Sequence, residues 1–181
     1  MAFPMLFRAK QELEGPRVAD IPGAVRDTIR SLPLQEKVTP GQTVAITAGS
    51  RGIANIARIT RAVTDEMIRL GLIPIIVPAM GSHGGATPEG QRNILAHYGI
   101  TESAMGCPIK SSMEVVEIGR TKGTPVFCDR NAWEADHIVV VGWINAHPDF
   151  SGEIESGLFK MMAIGLGKQQ GAEHYHRAGQ H

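Results

Sequence analysis

Two short apolar runs, each followed by a glycine-rich polar loop and a helical pattern, constrain the fold more than any other feature. The first, Thr43–Thr47, contains β-branched residues and precedes the loop Ala48–Gly52 and the amphipathic segment Ile53–Leu70. The second, Leu72–Met80, is apolar along its whole length, as in strands that are covered on both faces of a parallel sheet. This order predicts an α/β fold whose open, mostly parallel Rossmann-like sheet carries helices on both faces.

The remaining sequence continues this pattern. Thr87 is a natural N-cap, and Pro88 a natural first residue, for a helix that runs to Tyr98. The other predicted elements are, in chain order, an edge strand over Met5–Lys10, a helix over Ile21–Leu32, a strand pair over Met113–Ile118 and Thr124–Cys128, a buried strand over Ala135–Ile144 and a helix over Glu155–Leu166. Because neither a repeat nor a linker interrupts the pattern, residues 1–181 are predicted to form a single lobe.

The composition excludes several classes of protein. The 18 Lys and Arg residues balance 18 Asp and Glu residues, and no basic stripe is present to neutralise phosphates. We therefore expect neither a nucleic-acid partner nor a membrane partner, and small-molecule chemistry is favoured. Without a membrane-length apolar run or a signal-peptide pattern, the sequence predicts a cytoplasmic protein. The two cysteines, Cys107 and Cys128, lack metal-ligand spacing and are predicted to be buried free thiols.

Three predicted strands end in polar loops. These loops are Gly49–Arg51, Gly81–His83 and Asn145–His147. In an open α/β sheet, ligands bind in the crevice beyond the carboxyl ends of the strands. The convergence of these loops predicts a ligand site at that edge of the sheet.

Three side chains in these loops are candidates for chemistry. Arg51 precedes a predicted helix and can bind a carboxylate or phosphate, but pairing with Asp65 or Glu66 is an equally open interpretation. His83 lies among glycines that offer little packing, so a core position is unfavourable. His147 ends an apolar run. Two imidazoles on opposite sides of a substrate suit acid/base catalysis from both faces.

Lys160 and the histidines that follow it are the remaining candidates. Small and apolar neighbours in sequence would strip water from the Lys160 amine and make it more nucleophilic, although a lysine that extends its amine into solvent is commoner. His174 and His176 are two positions apart and do not share a helix face. One of them remains a candidate for a single ligand to a metal that is held mainly by another group.

These residues, in their order along the chain, resemble the lactate racemase family, whose members use a nickel-pincer nucleotide. The resemblance spans roughly Thr43–Gly179 and corresponds to the N-terminal, cofactor-binding lobe of a family member. It is carried by Arg51 in its loop, His83 with Thr87-Pro88-Glu89 after it, His147, Lys160 and His176.

The resemblance implies how the cofactor is held. Lys160 would carry the nickel-pincer nucleotide through a covalent thioamide, and Ser156 and Gly157 would belong to the cofactor-binding segment. His176, sixteen residues after this lysine, would be the protein ligand to nickel. A square-planar nickel with one imidazole is consistent with this set. Cofactor-biosynthesis proteins are then expected partners.

The resemblance also implies a reaction. His83 and His147 would be the acid/base pair, and Arg51 would hold the carboxylate of a small 2-hydroxy acid or the phosphate of the cofactor. The configuration at C2 would be inverted by hydride transfer to the cofactor and back, which avoids a carbanion beside an ionised carboxylate. The protein would then be an isomerase, a racemase or epimerase.

The sequence departs from the family between its second histidine and its lysine. The passage Phe150–Gly157 is slightly longer than in lactate racemases, so the substrate need not be lactate. A C-terminal lobe that closes over the substrate is expected in the family and lies outside these residues. A non-catalytic nucleotide- or cofactor-binding domain is therefore an alternative. A zinc hydrolase that uses His83, His147 and either His174 or His176 is a weaker one.

Overall fold

The structure, a computed structural model, describes residues 7–10, 15, 17–144 and 156–178. The helices are α1 (Ile21–Arg30), α2 (Ile56–Arg69), α3 (Pro88–His97), α4 (Glu102–Met105), α5 (Arg130–Trp133), α6 (Leu158–Lys160) and α7 (Lys168–Ala178). The strands are β1 (Thr43–Ala48), β2 (Ile73–Pro78), β3 (Val115–Thr121), β4 (Thr124–Asp129) and β5 (His137–Val139).

A parallel sheet with the strand order β2-β1-β5 organises the fold. Strand β1 pairs with β2 from Thr43 opposite Ile73 to Ala48 opposite Pro78. On its other side β1 pairs with β5, with Val44 opposite His137. The chain thus adds β2 on one side of β1 and returns to add β5 on the other. Such a change of direction creates a crevice at the carboxyl ends of the strands.

Both faces of this sheet are covered. One face buries side chains of β1 and β2 against α2 and α3, and these include Val44, Ile46, Ile76, Val63, Met67 and Leu95. The opposite face packs against β4, α5 and the segment before α7, through Ala45, Ile75, Val77, Cys128, Ala132 and Leu166. The prediction of an open α/β sheet with a parallel order of strands is therefore confirmed, with helices on one face and β4 beside α5 on the other. Strands β3 and β4 form a separate antiparallel pair, as predicted.

Local sequence signals account for where several helices begin and end. Thr87 caps α3, because its Oγ1 accepts a hydrogen bond of 3.0 Å from the amide of Gly90. Asp20 caps α1 in the same way, through the amide of Gly23. Helix α2 ends before Gly71, whose φ of 81° lies in the left-handed region that favours glycine.

Two strand predictions were wrong in extent. Residues 7–10 are not in a strand, and the rest of the proposed edge strand Met5–Lys10 lies outside the described residues. The buried strand predicted over Ala135–Ile144 is only three residues long, and Ile138 is 39% exposed. β5 is shorter and more exposed than predicted because it lies at the side of the sheet and pairs with β1 alone among the described strands.

The helix predicted over Glu155–Leu166 is present over residues 158–165, although its second half is π-helical. Helix α6 ends at Lys160, a π-helical turn follows over Met161–Gly165, and α7 begins at Lys168. Lys168 has a φ of 54°, which is unfavourable for a residue other than glycine and interrupts the helix between Leu166 and α7. The segment therefore turns at this point instead of continuing straight.

Both cysteines are buried and free, as predicted. Across the described ranges, the structure contains no helix that is both long and apolar enough to cross a bilayer.

Candidate functional site

Two of the three predicted loops meet beyond the carboxyl ends of β1 and β2. Ser50 in the loop after β1 lies 2.5 Å from His83 in the loop after β2, measured from Oγ to Nδ1. The phenol of Tyr98, at the end of α3, donates a hydrogen bond of 3.0 Å to the main-chain oxygen of Ser50. The third loop, Asn145–His147, lies outside the described residues, so the position of His147 stays a prediction.

The glycines around His83 allow its loop to turn tightly. Gly84 and Gly85 both have positive φ, and a Cβ at Gly84 would lie 2.6 Å from the carbonyl carbon of Gly90. Any larger residue at position 84 would clash with the first turn of α3. His83 itself is exposed, so the prediction that it is not a core histidine is confirmed.

Arg51 is exposed beside Ser50 at the same edge. The alternative interpretation paired it with Asp65 or Glu66, but Asp65 binds Arg61 and Glu66 binds Arg30 and Arg69. Within the described ranges the guanidinium of Arg51 has no ion pair. Its position is consistent with an anion-binding role.

The segment that carries Lys160 packs across this edge of the sheet. A Cβ at Gly49 would lie 3.4 Å from Cε of Met161, and one at Gly142 would lie 2.8 Å from Cγ of the same methionine. The loop after β1 and the chain after β5 therefore both contact Met161, the residue next to Lys160. A third contact joins the loop after β2, because the amide of Gly81 donates 3.2 Å to the carbonyl of Gly165.

Lys160 is half-buried at this position, as is Ser156. Gly157 is buried with a φ of 73°, and a Cβ there would lie 3.5 Å from Cγ1 of Ile144. The structure thus places Ser156, Gly157 and Lys160 beside the chain that leaves β5. No hydrogen bond or ion pair joins the amine of Lys160 to another described side chain.

The two histidines of α7 have different surroundings. His176 is exposed. His174 is half-buried, lies with its ring centroid 5.3 Å from that of Phe127, and approaches the carbonyl of Gln170 at 2.8 Å through Nδ1. In the described part of the chain, no three His, Cys, Asp or Glu side chains lie close enough together to hold a metal ion.

Sequence reasoning missed a buried lysine. Lys168 has no exposed surface and its amine has three partners: the carbonyl of Pro78 at 2.5 Å, Oε1 of Gln91 at 3.0 Å and Oδ2 of Asp129 at 3.2 Å. Burial lowers the pKa of this amine, although Asp129 opposes the shift. The positive φ of Lys168 could not be predicted from the sequence, although the two glycines at 165 and 167 indicated an irregular backbone just before it.

Sequence reasoning also missed the α3 side of the site. An open cleft of about 660 Å³ is lined by Ser50, His83, Gly84, Asn93, Ile94, His97 and Tyr98. Asn93 and His97 lie four positions apart on α3, and Ile94 and Tyr98 lie four positions apart at its C-terminal end, so each pair projects from one side of the helix. This spacing was visible in the sequence and would have identified them.

Comparisons with known proteins complete this description. The search of curated proteins and the search of solved structures gave no match. A family model described as the lactate racemase N-terminal domain matches residues 6–181, which is nearly the whole chain. The chain belongs to the lactate racemase N-terminal domain family.

Proposed function

We propose that this protein inverts C2 of a 2-hydroxy acid as a racemase or epimerase that uses a nickel-pincer nucleotide. The observation that carries the proposal is the contact between Ser50 and His83, which joins the loop of Arg51 to the loop of His83. An anion-binding group and a proton-transfer group would then lie in the loops that follow neighbouring strands at one edge of the sheet. The match to the lactate racemase N-terminal domain supports the same reaction class.

The two lysines of the C-terminal segment, Lys160 and Lys168, differ in their fit to the cofactor. A thioamide requires an amine that is not already held by structural partners. The amine of Lys168 fails this test, because it has three partners in the protein interior. Lys160 fits, since it is half-buried and free of ion pairs with described residues. We propose that Lys160 holds the cofactor, with Ser156 and Gly157 beside it, and that His176 binds the nickel.

The cofactor would supply a hydride acceptor and donor at C2. The protein would supply proton transfer and orientation. When Nδ1 of His83 carries the proton and donates to Ser50, Nε2 is free to accept the proton of the substrate hydroxyl. For the opposite enantiomer as substrate, Nε2 of His83 would act as the acid and donate a proton to the same oxygen. His147, on the chain after β5, is proposed as the second acid/base group.

Arg51 would bind the substrate carboxylate. Its planar guanidinium matches a carboxylate through two parallel hydrogen bonds, which fixes the orientation of C2. Because Arg51 follows directly on Ser50, this contact would place the substrate hydroxyl near the imidazole of His83. We infer that cofactor-biosynthesis proteins act on Lys160 before turnover.

The test is peptide mass spectrometry on protein isolated from cells that make the cofactor, with nickel quantified in the same sample. Enantiopure 2-hydroxy acids are then incubated with the protein and separated by chiral chromatography. We expect an adduct on Lys160, stoichiometric nickel and racemisation of at least one acid. Lys160→Arg should lose all three, whereas Lys110→Arg, at an exposed lysine, should retain them.

Other outcomes support the alternatives. An adduct with nickel but without racemisation of any acid would identify a cofactor-binding domain and exclude an isomerase. Stoichiometric zinc with an unmodified Lys160 would favour a hydrolase and overturn the cofactor assignment.

A further inference from the structure

Lys168 and Gln91 form a buried polar connection between the C-terminal segment and the loop of His83. Both side chains have no exposed surface. Lys168 reaches Gln91 through a hydrogen bond of 3.0 Å, from its amine to Oε1. The same amide group of Gln91 donates from Nε2 to the carbonyls of Gly81 at 2.8 Å and His83 at 3.2 Å.

The chemistry of its partners determines which way the Gln91 amide faces. An ammonium group has only donors, so it requires the oxygen of the amide and not its nitrogen. The nitrogen is thereby turned toward the two carbonyls, which are acceptors. Lys168 and the two carbonyls therefore require the same orientation of the amide and hold it from opposite ends. Without Lys168 the amide oxygen loses this partner, and the Gln91 side chain keeps only its contacts with the carbonyls of Gly81 and His83.

The other partners of Lys168 fix the lysine itself. Its amine binds the carbonyl of Pro78, the last residue of β2, and lies 3.2 Å from Oδ2 of Asp129 at the end of β4. Oδ1 of Asp129 accepts from the amide of Ala132 and caps α5, so the carboxylate is held in turn. The amine of Lys168, the first residue of α7, thus contacts residues of three other elements: β2, α3 and β4. A charged group buried this fully is costly unless its partners are all in place.

We propose that Lys168 is a positioning residue that acts through Gln91 to hold the main chain of His83, and so the contact between His83 and Ser50. The inference rests on the proposed function only for its effect on turnover, since the positioning itself does not require the cofactor. Lys168 is then the second functional lysine of the segment, with a role separate from that of Lys160.

The decisive variants separate the two halves of the connection. In Gln91→Glu the side chain still accepts from Lys168 but can no longer donate to Gly81 and His83. In Lys168→Met the oriented contact to Gln91 is lost at nearly constant volume. Lys110→Met, at an exposed lysine, is the matched control. Because Lys168→Met leaves Asp129 unpaired and buried, Gln91→Glu keeps the test valid if that variant does not fold.

The primary readout is the tautomeric state of His83, from nitrogen-15 NMR of the protein without cofactor. We expect one dominant tautomer in the wild type and a mixed, solvent-like pattern in both variants, with the signal of His97 unchanged. The double variant should show no further change, because the two residues act in series. Wild-type His83 signals in folded Gln91→Glu would overturn the proposal. A change in Gln91→Glu but not in folded Lys168→Met would remove Lys168 from it.

Turnover provides the second readout. Both variants should lower kcat about tenfold, the effect of losing roughly one hydrogen bond in the transition state, and leave KM within about twofold. The adduct on Lys160 should be retained in Gln91→Glu. If the wild type carries no adduct and racemises nothing, the proposed function fails, while the NMR result still decides the positioning. A loss of thermal stability with unchanged kcat and unchanged His83 signals would contradict the inference.

Discussion

Ser50 and His83 are 33 residues apart in sequence, yet the Oγ of the serine lies 2.5 Å from Nδ1 of the histidine. The two residues follow adjacent parallel strands, so the sheet itself brings them together. Each is held from a different direction, Ser50 by the phenol of Tyr98 and the His83 main chain by Gln91. A hydrogen bond at Nδ1 fixes the orientation of the ring and leaves Nε2 directed away from Ser50.

The first prediction concerns this contact. Ser50→Ala removes the partner of Nδ1, so the imidazole of His83 should rotate more freely. We expect kcat for racemisation to fall about tenfold, equivalent to one hydrogen bond of about 1.4 kcal/mol, with KM little changed. The measurement is steady-state kinetics in both directions, with the Lys160 adduct quantified in each preparation.

Ser31→Ala is the matched control, because Ser31 donates to the carbonyl of Thr28 far from the sheet edge. It should retain full activity. Equal kcat in Ser50→Ala and the wild type would contradict a role for this contact in turnover.

The second prediction concerns the close approach of the C-terminal segment to β2. A Cβ at Gly165 would lie 2.8 Å from the carbonyl oxygen of Ala79, and both groups are buried. Gly165→Ala should push the segment away from the sheet and lower the free energy of unfolding by about 1–3 kcal/mol. Denaturant unfolding measures this change. The displacement should also reduce the occupancy of the Lys160 adduct.

Gly119→Ala serves as its control, since a Cβ at Gly119 meets nothing within 4 Å. The stability of this variant should remain within about 0.5 kcal/mol of the wild type. Equal stability of the two variants would mean that the contact between Gly165 and Ala79 is not tight.

Much of the central fold was predictable because periodicity and capping are local properties. The apolar runs of β1 and β2, the N-cap Thr87 and the glycine at position 71 all correspond to observed features. The position of His83 at an exposed sheet edge followed from the glycines around it. These signals need no knowledge of which parts of the chain later touch.

The remainder depended on contacts between distant residues. The length of β5 follows from its place at the side of the sheet, which a run of apolar residues does not reveal. Lys168 resembles any other lysine in sequence, and only the convergence of Pro78, Gln91 and Asp129 makes its burial possible. Sequence reasoning weighed desolvation for Lys160 alone and left it open, whereas the fully buried lysine is eight residues later.

The third prediction is a pH dependence of stability that arises from Glu66. Its carboxylate is nearly buried and binds Arg30 through two hydrogen bonds of 3.0 Å, with Arg69 at 2.6 Å. The hydrogen bond from Arg30, with help from Arg69, holds the pKa of Glu66 below its usual 4.5. Its contribution is therefore present above about pH 4.5 and lost as the pH falls through the lower folded-state pKa.

Glu66→Gln should accordingly lower the free energy of unfolding by about 1 kcal/mol at pH 7 and by less at pH 3. Chemical denaturation at a series of pH values provides the measurement. Asp65→Asn, which breaks an exposed pair with Arg61 on the same helix, should change stability much less at both pH values. A constant difference between wild type and Glu66→Gln from pH 7 to pH 3 would rule out this origin.

The fourth prediction concerns the thiols. Burial raises the pKa of Cys128 to about 11, with a contribution from neighbouring Asp129, and burial also raises the pKa of Cys107. Since the thiolate is the reactive form, neither cysteine of the folded protein should react with an aromatic disulfide reagent at pH 8, and both should react after unfolding.

Because the thiol of the unfolded chain ionises first, near its usual 9.0, the free energy of unfolding should fall as the pH rises from 9 toward 11. For Cys128 the fall is about 1–2 kcal/mol, and Cys128→Ala should lack it. Rapid labelling of Cys128 in the native protein would contradict the prediction. It would show that the packing of β4, α5 and Leu166 against the sheet opens readily to solvent.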